Sequence, residues 1–230
     1  MIQWLVQSAI EHSDLSRGIA PSGLLRPVEQ RRLAELKFSK RRSEWLLGRW
    51  TAKHLLQACL EHDLNVRLPL SAIGIYYDAH GAPVAMVDCG CQIVEWAISI
   101  SHSHTCGFAA ALPDATIGLG ADIEHVEPRD WRFVEDYFVQ DEIERLCAAP
   151  IGQRDKLIAA FWSAKEAALK ALRLGLTIDT RRVHCAIDPR YCTDRDWLEF
   201  NITCAWEGTE TLRGWWRVWD EYVLTVAVVA

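Results

Sequence analysis

The sequence predicts an α+β protein built from two similar halves, each with helices packed on a small antiparallel sheet. Three observations lead to this class. The hydrophobic period changes from helical to strand-like along the first half; turn residues bound the strand-like runs; and the second half then repeats the same kinds of element.

Taken in order, residues 27–63 carry Leu33 and Leu36, then Trp45, Leu46, Ala52, Leu55, Leu56 and Leu60 at helical spacing, which predicts two helices. Residues 71–77 and 95–112 are rich in β-branched, aromatic and small apolar side chains, with turn signals at Asp78-Ala79-His80-Gly81 and Pro113-Asp114, and read as strands. The second set comprises a strand over 117–126, helices over 131–137 and 141–147, and a long helix over 154–174. Strands follow over 197–206 and in a hairpin over 214–229 that turns at Asp220-Glu221. No low-complexity linker interrupts the chain, so halves spanning 1–113 and 114–230 are expected to pack tightly.

Half of the 230 residues are apolar, enough for a sizeable core. No run approaches the roughly 18 apolar residues of a membrane span, and the start of the chain lacks the basic segment of a signal peptide. A cytoplasmic protein with no membrane partner is expected, its eight scattered cysteines reduced. Cys89-x-Cys91 followed by His102-x-His104-x-Cys106 offers zinc-type ligands without the usual spacers, and a zinc module stands as one alternative.

The net charge of −6 argues against a general nucleic-acid binder. From Arg31 to Lys53 eight basic residues face two glutamates, so this window is +6 and the remainder −12. Such a patch suits a polyanionic small molecule or an acidic partner; the bland alternative is an exposed helix with surplus basic residues.

Two motifs carry chemistry. In Gly118-Leu119-Gly120-Ala121-Asp122-Ile123-Glu124 the acidic residues are two apart, so on a strand both project from one face and can reach one cation. Magnesium takes such hard oxygen ligands together with substrate phosphates, although a solvated strand end has the same pattern. In Phe161-Trp162-Ser163-Ala164-Lys165-Glu166-Ala167-Ala168-Leu169-Lys170, Trp162, Glu166 and Lys170 fall on one helical stripe. An ordinary surface ion pair from Glu166 to Lys170 reads the same way.

Together, Gly-x-Asp-x-Glu and Trp-Ser-x-Lys-Glu-Ala-x-x-Lys, 43 residues apart from Asp122 to Lys165, resemble the signature motifs of the 4'-phosphopantetheinyl transferases, in particular the larger, monomeric, surfactin-synthetase-activating type. The resemblance implies two α+β halves related by a pseudo-twofold axis, with coenzyme A held between them. It implies magnesium on Asp122, Glu124 and Glu166, with Glu166 serving as the base or positioning it, and Lys170 stabilising pyrophosphate charge. Asp122, Glu166 and Lys170 are thus the expected catalytic residues.

Residues 42–53, RSEWLLGRWTAK, resemble the family's basic helix, with Arg49 and Lys53 as phosphate contacts. Gly81 and Pro83 resemble its Gly-Lys-Pro loop with Ala82 in place of lysine, and Ser101 and His102 its coenzyme A-touching Ser-His pair. Lys165, about 100° around the helix from Glu166, is a further candidate for the phosphates. The expected acceptor is a serine of an apo acyl-, peptidyl- or aryl-carrier protein, and the expected by-product adenosine 3',5'-bisphosphate. Two alternatives remain open: a magnesium-dependent phosphohydrolase acting on coenzyme A or a nucleotide, and a non-catalytic relative that binds carrier proteins.

Overall fold

The computed structural model describes residues 1–65, 67–88, 93–188, 196–205 and 211–229; the pair Cys89 and Cys91 of the zinc alternative lies outside them. The chain folds as two compact units, Met1–Ile117 and Gly118–Ala230.

The first unit runs β1 (Gln3–Ser8), α1 (Ser13–Ser16), α2 (Pro27–Glu35), α3 (Ser39–Leu64), β2 (Gly74–Tyr77), β3 (Pro83–Asp88), β4 (Ile93–Ser103) and β5 (Cys106–Leu112). The second runs β6 (Leu119–His125), α4 (Trp131–Tyr137), α5 (Gln140–Ala148), α6 (Arg154–Ala171), β7 (Val183–Cys185), β8 (Leu198–Cys204), β9 (Thr211–Trp219) and β10 (Tyr222–Val229). Both sheets have five strands and the same topology, β1-β5-β4-β3-β2 and β6-β10-β9-β8-β7, with antiparallel neighbours throughout. The first strand of each unit lies at an edge beside the last, and a long helix precedes the second strand. The α+β class and the likeness of the halves are therefore present in the connectivity itself.

Strand β1 is absent from the sequence-based expectation, and its burial explains why. All six of its residues are half-buried, so neither face contrasts with the other and no period of two is written into QWLVQS. The expected strand over 95–112 is a hairpin of β4 and β5, register Ser103↔Cys106, whose tight turn places the non-glycine His104 at φ +52°. The turn is built from Ser, His and Thr, which give little warning of it.

Each long helix lays its apolar side on its own sheet. In the first unit Leu55, Leu56 and Leu60 of α3 meet Ile73, Ile75, Val87, Trp96 and Ile98, and a second cluster joins Leu15, Leu24 and Leu33 to Leu46 and Leu47. In the second, α6 is buried almost all round from Leu157 to Ala171 and packs with Val183, Phe200, Leu212 and Trp216. A helix so enclosed shows little amphipathic contrast. Six of its positions, 159, 160, 164, 167, 168 and 171, are alanine, which lets the neighbouring strands come close. Among the described residues no helix is long and apolar enough to cross a membrane.

The closest approach is at Gly120 of β6, where a Cβ would overlap the carbonyl oxygen of Ala167 on α6. Gly120→Ala should therefore destabilise the protein by at least about 2 kcal/mol, the scale of overpacking a tight core. Chemical denaturation checks this, and an unshifted midpoint would mean that strand and helix can separate freely.

Candidate active site

In β6 the glycine that admits the helix is followed by the two acidic residues. Gly120, Asp122 and Glu124 alternate onto the α6 side of the sheet. Asp122 pairs with Thr225 of β10, and the buried Thr225 hydroxyl shares a 2.6 Å hydrogen bond with Ser163 of α6, three residues before Glu166. Strand and helix are thus fastened together next to the acidic side chains.

Lys170 donates to Asp122 Oδ1 at 2.7 Å and to the Ala121 carbonyl at 3.1 Å, while its ammonium is 3.8 Å from Glu166. The surface ion pair of an isolated helix does not describe this residue, because its nearer acidic partner comes from β6. Arg129, beyond the end of β6, donates to Glu124 at 2.7 Å and lies over the Phe133 ring. The Trp162 indole N–H also donates to Glu124. Phe133, Tyr137 and Trp162 form an aromatic wall, with Trp162 centroids 5.0 and 5.1 Å from the other two. Sequence reasoning missed Arg129; its one signal was a basic residue five positions after Glu124.

Crowding of the acids appears in their titration. Burial and then the Asp122 charge push Glu124 up to about 7, against the lowering effects of Arg129 and Lys170. Burial followed by Asp122 raises Glu166 to about 8, with Glu124 and a carboxyl–carboxylate hydrogen bond to Asp122 acting in the same direction. Asp122, Glu124 and Glu166 are therefore mutually interacting groups, and a protonated Glu166 hydrogen-bonded to Asp122 relieves part of the repulsion. A hard divalent cation would relieve it better, since three carboxylate oxygens from a strand and a helix are the donors such ions take. In the chemical type of its donors, three carboxylates, the set fits magnesium.

Two sequence-based assignments are corrected here. Lys165 does not reach toward a phosphate: it is wholly buried, 2.9 Å from Glu142 Oε2, and donates to the carbonyls of Thr180 (3.0 Å) and Val183. Lys53 is likewise wholly buried on Glu29 and the Leu24 carbonyl (2.8 Å), and burial holds its pKa below the ordinary lysine value. In both cases a lysine on a long helix reads as an anion contact, but its partner carboxylate lies in a preceding helix.

The other candidates belong to the first unit. Arg49 is 4% exposed, its guanidinium flanked by the rings of Trp45 and Tyr77, bonded to the Tyr77 hydroxyl at 3.0 Å and 3.3 Å from Glu29. It lines a cavity of about 410 Å³ together with Arg32, Trp45, Tyr76 and Tyr77. Ser101 and His102 are adjacent on β4 and so point to opposite faces; His102 turns toward α3, 3.9 Å from Glu44. Gly81 takes φ +82° in the β2–β3 turn, a conformation in which the missing side chain matters.

The acidic centre and its lysine lie on β6 and α6, within a stretch of chain that resembles known proteins. Residues 118–227, a span that lies within the second unit, match the model of the 4'-phosphopantetheinyl transferase superfamily. Among curated proteins, 4'-phosphopantetheinyl transferase psf-1 of Bacillus pumilus is 29% identical over 132 residues, 57% of this chain and 51% of that one. 4'-Phosphopantetheinyl transferase HetI of a Nostoc species is 28% identical over 102 residues, 44% of this chain and 41% of that one. The chain thus spans about half the length of the curated relatives it matches. A solved holo-(acyl-carrier-protein) synthase from Bacillus anthracis, in complex with CoA, aligns at 20% identity and a TM-score of 0.38, covering 48% of this chain and 91% of that one. A similarity at that score decides nothing further.

The raised carboxyls fix a pH dependence. Glu124 and Glu166 retain protons in the folded state at pH values where the unfolded chain, with ordinary glutamates, has lost them. The stabilising contribution of these two groups, in the protein without divalent ions, is therefore full below about pH 4 and declines as pH rises toward 8, where both are ionised. Thermal melts in chelator should show Tm falling over this window, with a shallower fall for Glu166→Gln. Equal slopes for variant and parent would count against the cluster.

Proposed function

We propose that the protein transfers the 4'-phosphopantetheine arm of coenzyme A to a serine of an apo acyl-, peptidyl- or aryl-carrier protein, releasing adenosine 3',5'-bisphosphate. The observation that supports this best is the convergence of Asp122, Glu124, Glu166 and Lys170 within the unit that matches the family model. Among these, Asp122, Glu124 and Glu166 are the residues to hold magnesium. When bound, that ion supplies charge neutralisation at the pyrophosphate of coenzyme A and assists departure of the leaving group.

The chain's own residues supply the rest. The serine hydroxyl must lose a proton as its oxygen attacks the β-phosphorus, and Glu166, directly or through a water, is the acceptor. Lys170, held at the edge of the cluster by Asp122, can follow the charge that accumulates on the departing phosphate. Trp162, Phe133 and Tyr137 wall one side and limit access of water. In the first unit, Arg49 with its neighbour Arg32 is the proposed contact for a coenzyme A phosphate. Its guanidinium is preorganised by two aromatic rings, so little freedom is lost on binding.

Incubation with an apo carrier protein, coenzyme A and magnesium should add the phosphopantetheine mass to the carrier, read by mass spectrometry. Asp122→Asn and Glu166→Gln should each slow transfer by about 100-fold or more, the scale of losing one preorganised electrostatic contact. Arg49→Ala should raise KM for coenzyme A by roughly tenfold, the weight of one charge-assisted contact. Cleavage of coenzyme A with no mass gain on the carrier would make the protein a phosphohydrolase and overturn the proposal.

A further inference from the structure

Two buried glutamates occupy the same place in the two units. Glu29 is the third residue of α2 and Glu142 the third of α5, both nine-residue helices. Each accepts a backbone N–H from the residue before its helix at 3.0 Å, Arg26 and Val139 respectively. Each also holds a wholly buried lysine of the long helix that follows, Lys53 or Lys165. Around those lysines the sequences match, Trp50-Thr51-Ala52-Lys53 against Trp162-Ser163-Ala164-Lys165, and the next residue is His54 in one and Glu166 in the other.

The uses of the clamp differ. In the first unit the second oxygen of Glu29 faces Arg49 at 3.3 Å. In the second unit that oxygen of Glu142 accepts the Cys185 N–H at 2.9 Å, while Lys165 reaches the Thr180 and Val183 carbonyls. The pair thereby ties α6 to α5 and to the start of β7 at a point one residue from Glu166.

We infer that Glu142 and Lys165 are positioning residues for the acidic cluster. They fix the rotational setting of α6, and with it where Glu166 and Lys170 meet Asp122. Consecutive helical residues are about 100° apart, so Lys165 is held in the core on one side while Glu166 faces β6 on another, and any roll of α6 moves both. A buried ammonium with one carboxylate and two carbonyl partners tolerates little displacement.

The inference rests on the cluster being the cation site of the proposed function, and manganese(II) binding, measured by electron paramagnetic resonance on the protein alone, tests the two separately. The neutral double variant Glu142→Gln with Lys165→Met leaves no uncompensated buried charge and is the primary test. The single Glu142→Gln, which retains an acceptor for the Cys185 N–H, serves if the double variant does not fold. Either should bind manganese more than threefold more weakly than the parent while melting cooperatively. Leu212→Ala, a core truncation in the same unit, should lose stability with no change in manganese affinity. A smaller change in the clamp variants, with the parent binding normally, would overturn the positioning role and leave the cation reading standing. Absence of binding to the parent would overturn both.

Discussion

Three carboxylates resist being brought together, so their backbones must be held there by something stronger than their mutual repulsion. In this protein that hold is the close seating of β6 on α6, which Gly120 and the alanines of the helix permit and the Ser163–Thr225 bond secures. Asp122 and Glu124 arrive from the strand and Glu166 and Lys170 from the helix, at positions set by this packing directly beside the charges. The raised pKa values of Glu124 and Glu166 measure the opposing tendency, the preference of crowded, partly buried acids for protons.

The same balance explains which charges are spent on structure and which remain for chemistry. Lys53 and Lys165 are each used up by a capping glutamate and backbone carbonyls. Lys170 keeps part of its surface exposed and stands among acids whose protonation depends on it. Neighbouring lysines five residues apart on one helix thus have unlike roles, decided by what lies across from each.

Much of this was legible in the sequence. The two-residue spacing of Asp122 and Glu124 and the four-residue spacing of Glu166 and Lys170 give the facing directions without coordinates. The helices over 27–63 and the long helix beginning at Arg154 followed from their apolar spacing. What stayed hidden depended on partners distant in the chain. Glu29 and Glu142 read as ordinary acidic residues in a first helical turn, so nothing announced that lysines 24 and 23 residues onward would be buried against them. Strand β1 escaped because its two faces are equally half-covered, and the zinc alternative turned on Cys89 and Cys91, outside the described residues.

The shared strand order has a further consequence. Because the opening strand of each unit pairs with its closing strand, Gln3 lies opposite Ala111 and Leu119 opposite Val228, so both units begin and end within one strand spacing. A module whose ends meet can be copied in tandem through a connector of a few residues without opening either sheet.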